Sequence, residues 1–155
     1  MDKSGNQQNS TVAVLGATGY IGARLVPKLV EAGWHVRAVG RNPDKLKGRS
    51  WSYLDKVETV CGDVFDLESL KQATRGCRYV FYLVHSMNPQ VGDFARADRL
   101  AARNMVEAAE SSSVERIIYL AGLGDDSAEL SHHLQSRREV EKVLHAGSVQ
   151  VTVFR

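Results

Sequence analysis

A chain of 155 residues, 43% of them hydrophobic, is long enough for one domain around one buried core. Its 20 lysines and arginines against 18 aspartates and glutamates leave a net charge of +2 with no basic cluster, so neither nucleic acid nor an acidic membrane surface is indicated as a partner. No apolar run approaches the ~20 residues of a membrane span. Cys61 and Cys77 have neither CxxC spacing nor neighbouring histidines, which gives no metal site and predicts free thiols in a reducing, cytoplasmic setting.

Residues 1–10 are polar and rich in Ser, Asn and Gln, and read as a disordered lead-in, not a signal peptide. The domain proper is 11–155. A short apolar strand at 11–15 runs into glycines at 16, 19 and 22. A helix follows, with Ile21, Leu25, Val26, Leu29 and Val30 on one face, and Gly33 is its C′ residue. Pro27 inside it predicts a kink or an unpaired carbonyl. A second strand, 35–41, ends in Gly-Arg. Asn42-Pro43-Asp44 starts a short helix, and 48–55 read as irregular. A third strand spans 57–61, and Asp66 caps a helix that Gly76 ends. The wholly apolar run 79–84 predicts a strand covered on both faces. A loop over 85–92 leads to a long helix, roughly 93–112, whose Phe94, Ala97, Ala101, Met105 and Ala108 form a core stripe. A strand at 116–121, a helix at 132–145 capped by Ser131 and stopped by Gly147, and a strand at 149–154 complete the chain. Strict alternation of strand and helix predicts an α/β fold with a doubly wound parallel sheet of about six strands and helices on both faces.

In such sheets ligands bind outside the carboxyl ends of the strands, where strand order reverses. The first of those ends is Gly16-Ala17-Thr18-Gly19-Tyr20-Ile21-Gly22. Its glycines suit a sharp exit from the strand at Gly16, a close backbone approach to a pyrophosphate at Gly19 and, at Gly22, a helix packed close to the sheet, whose first unpaired N–H groups favour an anion. The competing reading is a structural turn without a ligand. A mononucleotide P-loop is excluded, because no Gly-Lys-Ser/Thr closes the motif. The other ends to examine are Arg41, Asp63–Val64, Leu83-Val84-His85-Ser86 and 122–124.

With these residues placed, the sequence resembles the atypical short-chain dehydrogenase/reductase proteins, in particular their NmrA-like or NAD(P)H-binding branch, over nearly all of 11–155. The resemblance rests on the glycine motif, Val39-Gly40-Arg41, Gly62-Asp63-Val64, Tyr82-Leu83-Val84-His85-Ser86, the Asn104 to Ala109 segment and the run from Ile118 to Gly124. It implies a Rossmann fold in which Asp63 meets the adenine edge and Val64 its face. Otherwise Asp63 is a turn residue bonding its own backbone. Redox members of the wider family use a serine after the fifth strand and Tyr-x-x-x-Lys on the next helix. Here those positions fall on Gly122, His133 and Arg137. The replacements can still transfer a proton and hold a ribose or phosphate, or they are ordinary solvated helix residues. His85 is either a cofactor neighbour or a structural histidine, and Asn104 is structural.

The second strand carries no acidic residue at its end to accept bonds from two ribose hydroxyls. Arg41 is placed to grip a 2′-phosphate or to stack on adenine, so NADP is expected over NAD. The resemblance thus implies an NADP(H)-binding oxidoreductase or degenerate reductase with an unknown small-molecule substrate. The alternative is a non-catalytic redox sensor or assembly module with a protein partner. In the family a substrate-binding region follows the sixth strand, so the chain is expected to be truncated there.

Overall fold

A computed structural model describes residues 11–85, 94–122 and 131–155. The alternation anticipated from the sequence is realised as strands β1 (Thr11–Leu15), β2 (His35–Gly40), β3 (Val57–Cys61), β4 (Tyr79–Tyr82), β5 (Arg116–Leu120) and β6 (Gln150–Phe154). Helices α1 (Tyr20–Glu31), α2 (Pro43–Lys47), α3 (Leu67–Thr74), α4 (Phe94–Ser111) and α5 (His132–His145) lie between them. The strands form one parallel sheet in the order β3-β2-β1-β4-β5-β6. The order reverses between β1 and β4, and this leaves a crevice at their carboxyl ends.

The two-residue period of the strands divides the core. Ala13 and Leu15 of β1 face a layer supplied by α3, α4 and α5, with Leu70, Met105, Val140 and Leu144 buried in it. Val12 and Val14 face the opposite layer, where Val26 of α1, Leu46 of α2 and Trp51 are buried. Ile21, expected on the apolar face of α1, is instead 44% exposed at its first turn.

Two local expectations are corrected. Residues 48–55 are not irregular: Ser50–Tyr53 form a 3-10 helix that inserts Trp51 into the core. Pro27 does not leave an unpaired carbonyl. It has no N–H to give Ala23, four residues earlier, and the Trp51 indole N–H donates to that carbonyl at 3.1 Å instead. Gly33 and Gly76 end their helices with positive φ, as anticipated, whereas Gly147 has no such conformation. What keeps a side chain off Gly147 is space, since a Cβ there would lie 2.4 Å from Val106.

Candidate dinucleotide site

The site begins where β1 ends. Gly16 leaves the strand at φ +83°, a conformation that side chains resist. The N–H groups of Gly16 and Ala17 both donate to the Val39 carbonyl at 3.2 Å, which fastens the turn to β2. The Gly19 N–H closes the turn on the Gly16 carbonyl at 3.0 Å. A Cβ on Gly22 would lie 2.2 Å from that same carbonyl oxygen and 2.8 Å from the Ala17 Cα. Gly22 therefore packs the helix start against the turn's own backbone, not against the sheet as expected. Asn42, Asp66 and Ser131 cap α2, α3 and α5 with side-chain oxygens, whereas Gly19 offers α1 none. The first N–H groups of α1 are thus left for an anion.

A cleft of about 640 Å³ lies over these strand ends. Of the residues anticipated from the sequence, it brings together Gly16, Thr18, Gly19, Arg41, Val64, Leu83, Val84 and His85. Ala17 is buried behind it, and Gly22 lies beneath the turn. Tyr20 is 73% exposed outside the cleft, with the Arg24 guanidinium 3.7 Å over its ring. Asp63 does not line the cleft either. Its Oδ1 accepts the Phe65 N–H at 3.0 Å, the self-bonded turn weighed against an adenine contact. The turn it shapes is braced from α4, where Asn104 donates to the Val64 carbonyl at 2.9 Å. On the other side, the Arg49 guanidinium donates to the Thr18 carbonyl and pins the glycine turn to the 3-10 segment.

The far end of the cleft is built from side chains. His85 leaves β4 and packs edge-on against Tyr119, with ring centroids 5.8 Å apart. Burial, and secondarily the Arg137 charge, push its pKa down to about 4, against the pull of Asp98 and the Leu120 carbonyl. His85 is therefore a neutral imidazole at physiological pH. Burial likewise raises the pKa values of Tyr82 and Tyr119, which keeps both phenols protonated. Asp98, on the inward face of α4, lines the cleft and accepts the Ser136 hydroxyl at 2.8 Å. Sequence reading passed over Asp98, although a carboxylate three residues before Ala101 on the buried stripe was the available signal.

Arg137 lies against the end of β5. A Cβ on Gly122 would come 2.4 Å from Leu134 Cδ2 and 3.3 Å from Arg137 Cδ, so no serine fits there without movement. The side chain of His133, and residues 86 and 123–124, lie outside the described residues.

A glycine turn entering an uncapped helix, beneath a cleft at the reversal of a 3-2-1-4-5-6 parallel sheet, defines a dinucleotide-binding Rossmann domain. Comparison gives the family: the NAD(P)H-binding family model matches residues 16–155, and the chain belongs to that family. Cinnamoyl-CoA reductase 1 of Petunia hybrida is 31% identical over 117 residues, covering 73% of this chain and 35% of that protein. The chain thus spans about a third of this relative's length. Among solved structures, triphenylmethane reductase of Citrobacter complexed with NADP(H) aligns at TM-score 0.77 and 22% identity, covering 93% of this chain and 48% of the other. The enzyme WbmG of Bordetella bronchiseptica, in complex with NAD, aligns at TM-score 0.79 and 16% identity, covering 98% and 54%. These structures establish the shared fold. No helix among the described residues is long and apolar enough to cross a membrane.

Proposed function

We propose that the chain is the NADP(H)-binding domain of an atypical short-chain reductase of the NmrA-like type, working in the cytoplasm. The observation that carries this reading is one cleft shared by the glycine turn and Arg41. Its residues fit a dinucleotide: Gly16 and Gly22 keep free the space that Cβ atoms would fill, and the α1 N-terminus faces where a pyrophosphate would lie. Arg41 follows Gly40 at the end of β2 with an exposed side chain and no acidic neighbour before Asp44, an arrangement suited to a 2′-phosphate. When bound, the nicotinamide supplies or accepts a hydride.

A second reading, a redox-sensing module without turnover, is favoured by Gly122 and His85. Gly122 brings no hydroxyl. A histidine with a pKa of about 4 is almost wholly unprotonated at neutral pH and so is a poor proton donor. The test is NADPH binding followed by nicotinamide fluorescence, then NADPH oxidation with a panel of aldehydes and ketones. Saturable 1:1 binding with no turnover of simple carbonyls is expected. Absence of binding overturns the NADP(H) assignment. Reduction that His133→Ala abolishes would instead make His133 the proton donor.

A further inference from the structure

Of the large apolar side chains left exposed among the described residues, Tyr20, Ile21, Tyr53, Leu54, Leu100 and Phe154 lie outside the cleft. Phe65 alone lines it, at 45% exposed. A phenyl group in water forgoes the gain of burial, and an exposed aromatic in a concave site marks a contact with a ligand. The neighbours of Phe65 suit a flat apolar group. Val64 and Leu70, both buried, line the same cleft, and so does Gly62, which adds no side chain.

The exposure is not that of a loose loop, because the backbone around Phe65 is bonded on every side. The Phe65 N–H donates to Asp63 Oδ1 at 3.0 Å, and the Asp66 N–H donates to the Asp63 carbonyl at 2.9 Å. The Ser69 hydroxyl accepts the Asp63 N–H at 3.0 Å and lies 3.2 Å from the Asp63 carbonyl, to which it can donate. From α4, Asn104 donates to the Val64 carbonyl at 2.9 Å. Asp63 itself does not line the cleft, and its bond to the Phe65 N–H fixes the backbone from which that ring projects. The place matters as well. Phe65 follows β3, which lies beside β2 in the sheet, and Arg41 ends β2 in the same cleft. With Arg41 at the adenosine ribose, the β3 side is where the base has room.

We propose that Phe65 is the stacking residue for the adenine base, and that Asp63 is a positioning residue acting through it, not through the base's amino edge. Aromatic stacking suits a purine and is tolerant of its substituents, because every base offers a π face. This assignment rests on the dinucleotide reading and names what holds the base within it.

The experiment measures Kd by nicotinamide fluorescence for NADPH and for its hypoxanthine analogue, in which an oxygen replaces the base's amino group. Wild type is compared with Phe65→Ala, Phe65→Trp, Asp63→Ala, Asp63→Asn and the double variant Asp63→Ala/Phe65→Ala. Melting temperatures confirm folding, and Phe65→Leu replaces the alanine variant if that variant is unfolded. Wild type should bind the two dinucleotides within about threefold of each other. Phe65→Ala should weaken both alike, by about 5- to 150-fold, and Phe65→Trp should retain binding. Asp63→Ala should also weaken both alike, Asp63→Asn should rescue it by keeping the acceptor, and the double variant should lose no more than Phe65→Ala. NADPH binding that Phe65→Ala leaves unaltered would overturn the stacking role alone. A wild-type preference for the adenine base of about tenfold or more would put a hydrogen-bonding group on the amino edge and overturn the role given to Asp63. So would a further loss in the double variant. Absence of NADPH binding by wild type would overturn the dinucleotide reading and this assignment with it.

Discussion

The two ends of the cleft are made of different material. At the Arg41 end the surface is backbone: the turn from Gly16 to Gly22, the Val39 carbonyl that holds it, and the uncapped start of α1. At the His85 end it is side chains, with Tyr82 on β4, His85 following it, and Ala97, Asp98 and Ala101 on α4. A backbone surface recognises what all dinucleotides share, and it fails wherever a Cβ intrudes. A side-chain surface can be rewritten by substitution without disturbing the sheet. The first end therefore fixes the class of ligand, and the second is where members of one family can diverge in chemistry.

The largest effect expected concerns how the backbone end is supported. Trp51→Ala removes a buried indole and strands the Ala23 carbonyl, and it should cost about 3–5 kcal/mol in urea unfolding. Trp51→Phe keeps most of the volume but loses the donor, at about 1–3 kcal/mol. Pro27→Ala restores a helical N–H to Ala23, so the Trp51→Phe cost should shrink in that background. An unchanged cost in the double-mutant cycle would show that the indole bond does not compensate for the proline.

At the side-chain end the comparison is sharpened by pH. The folded pKa of His85, about 4, lies below the ordinary 6.5, so between those values the unfolded chain binds more protons. His85 leaves stability intact above about pH 6.5 and lowers it as pH falls toward 4, by at most about 3 kcal/mol at ~1.4 kcal/mol per unit. Urea midpoints measured from pH 7 to 4 should decline less steeply in His85→Gln. Parallel profiles for the two proteins would mean that His85 is not held neutral.

A smaller effect tests the rigidity of the turn. Gly22→Ala sets a Cβ 2.2 Å from the Gly16 carbonyl oxygen. Overpacking of this kind costs about 1–3 kcal/mol, roughly 2–12 °C in Tm for a chain of this size. Because the strain falls on the turn itself, NADPH affinity should drop at least about tenfold, or ~1.4 kcal/mol. A variant that binds normally would separate Gly22 from the site.

Which of these features could be read in the sequence follows from how each is built. The glycine turn is contiguous, and its spacing is set by the geometry of strand exit and helix start, so the motif, the six parallel strands and the crevice at their carboxyl ends were all legible. Trp51 was not. Nothing in the local pattern of 48–55 orders it; its partner is the Ala23 carbonyl, 28 residues earlier, exposed to it by Pro27. Asp98 was passed over because a carboxylate within an amphipathic helix reads as solvent-facing until its neighbours are known. Asp63 shows the opposite failure: a residue prominent in a motif makes its visible bond to the turn that contains it.

The most direct test of the account is the selectivity of the backbone end. Kd values for NADPH and NADH are measured for wild type and for Arg41→Ala. The account predicts that wild type prefers NADPH by at least about tenfold, the smaller part of the 1.5–3 kcal/mol expected for a bond to a charged group. Arg41→Ala should lose most of that preference while NADH affinity changes little. Equal wild-type affinities, or a preference that survives the substitution, would contradict it.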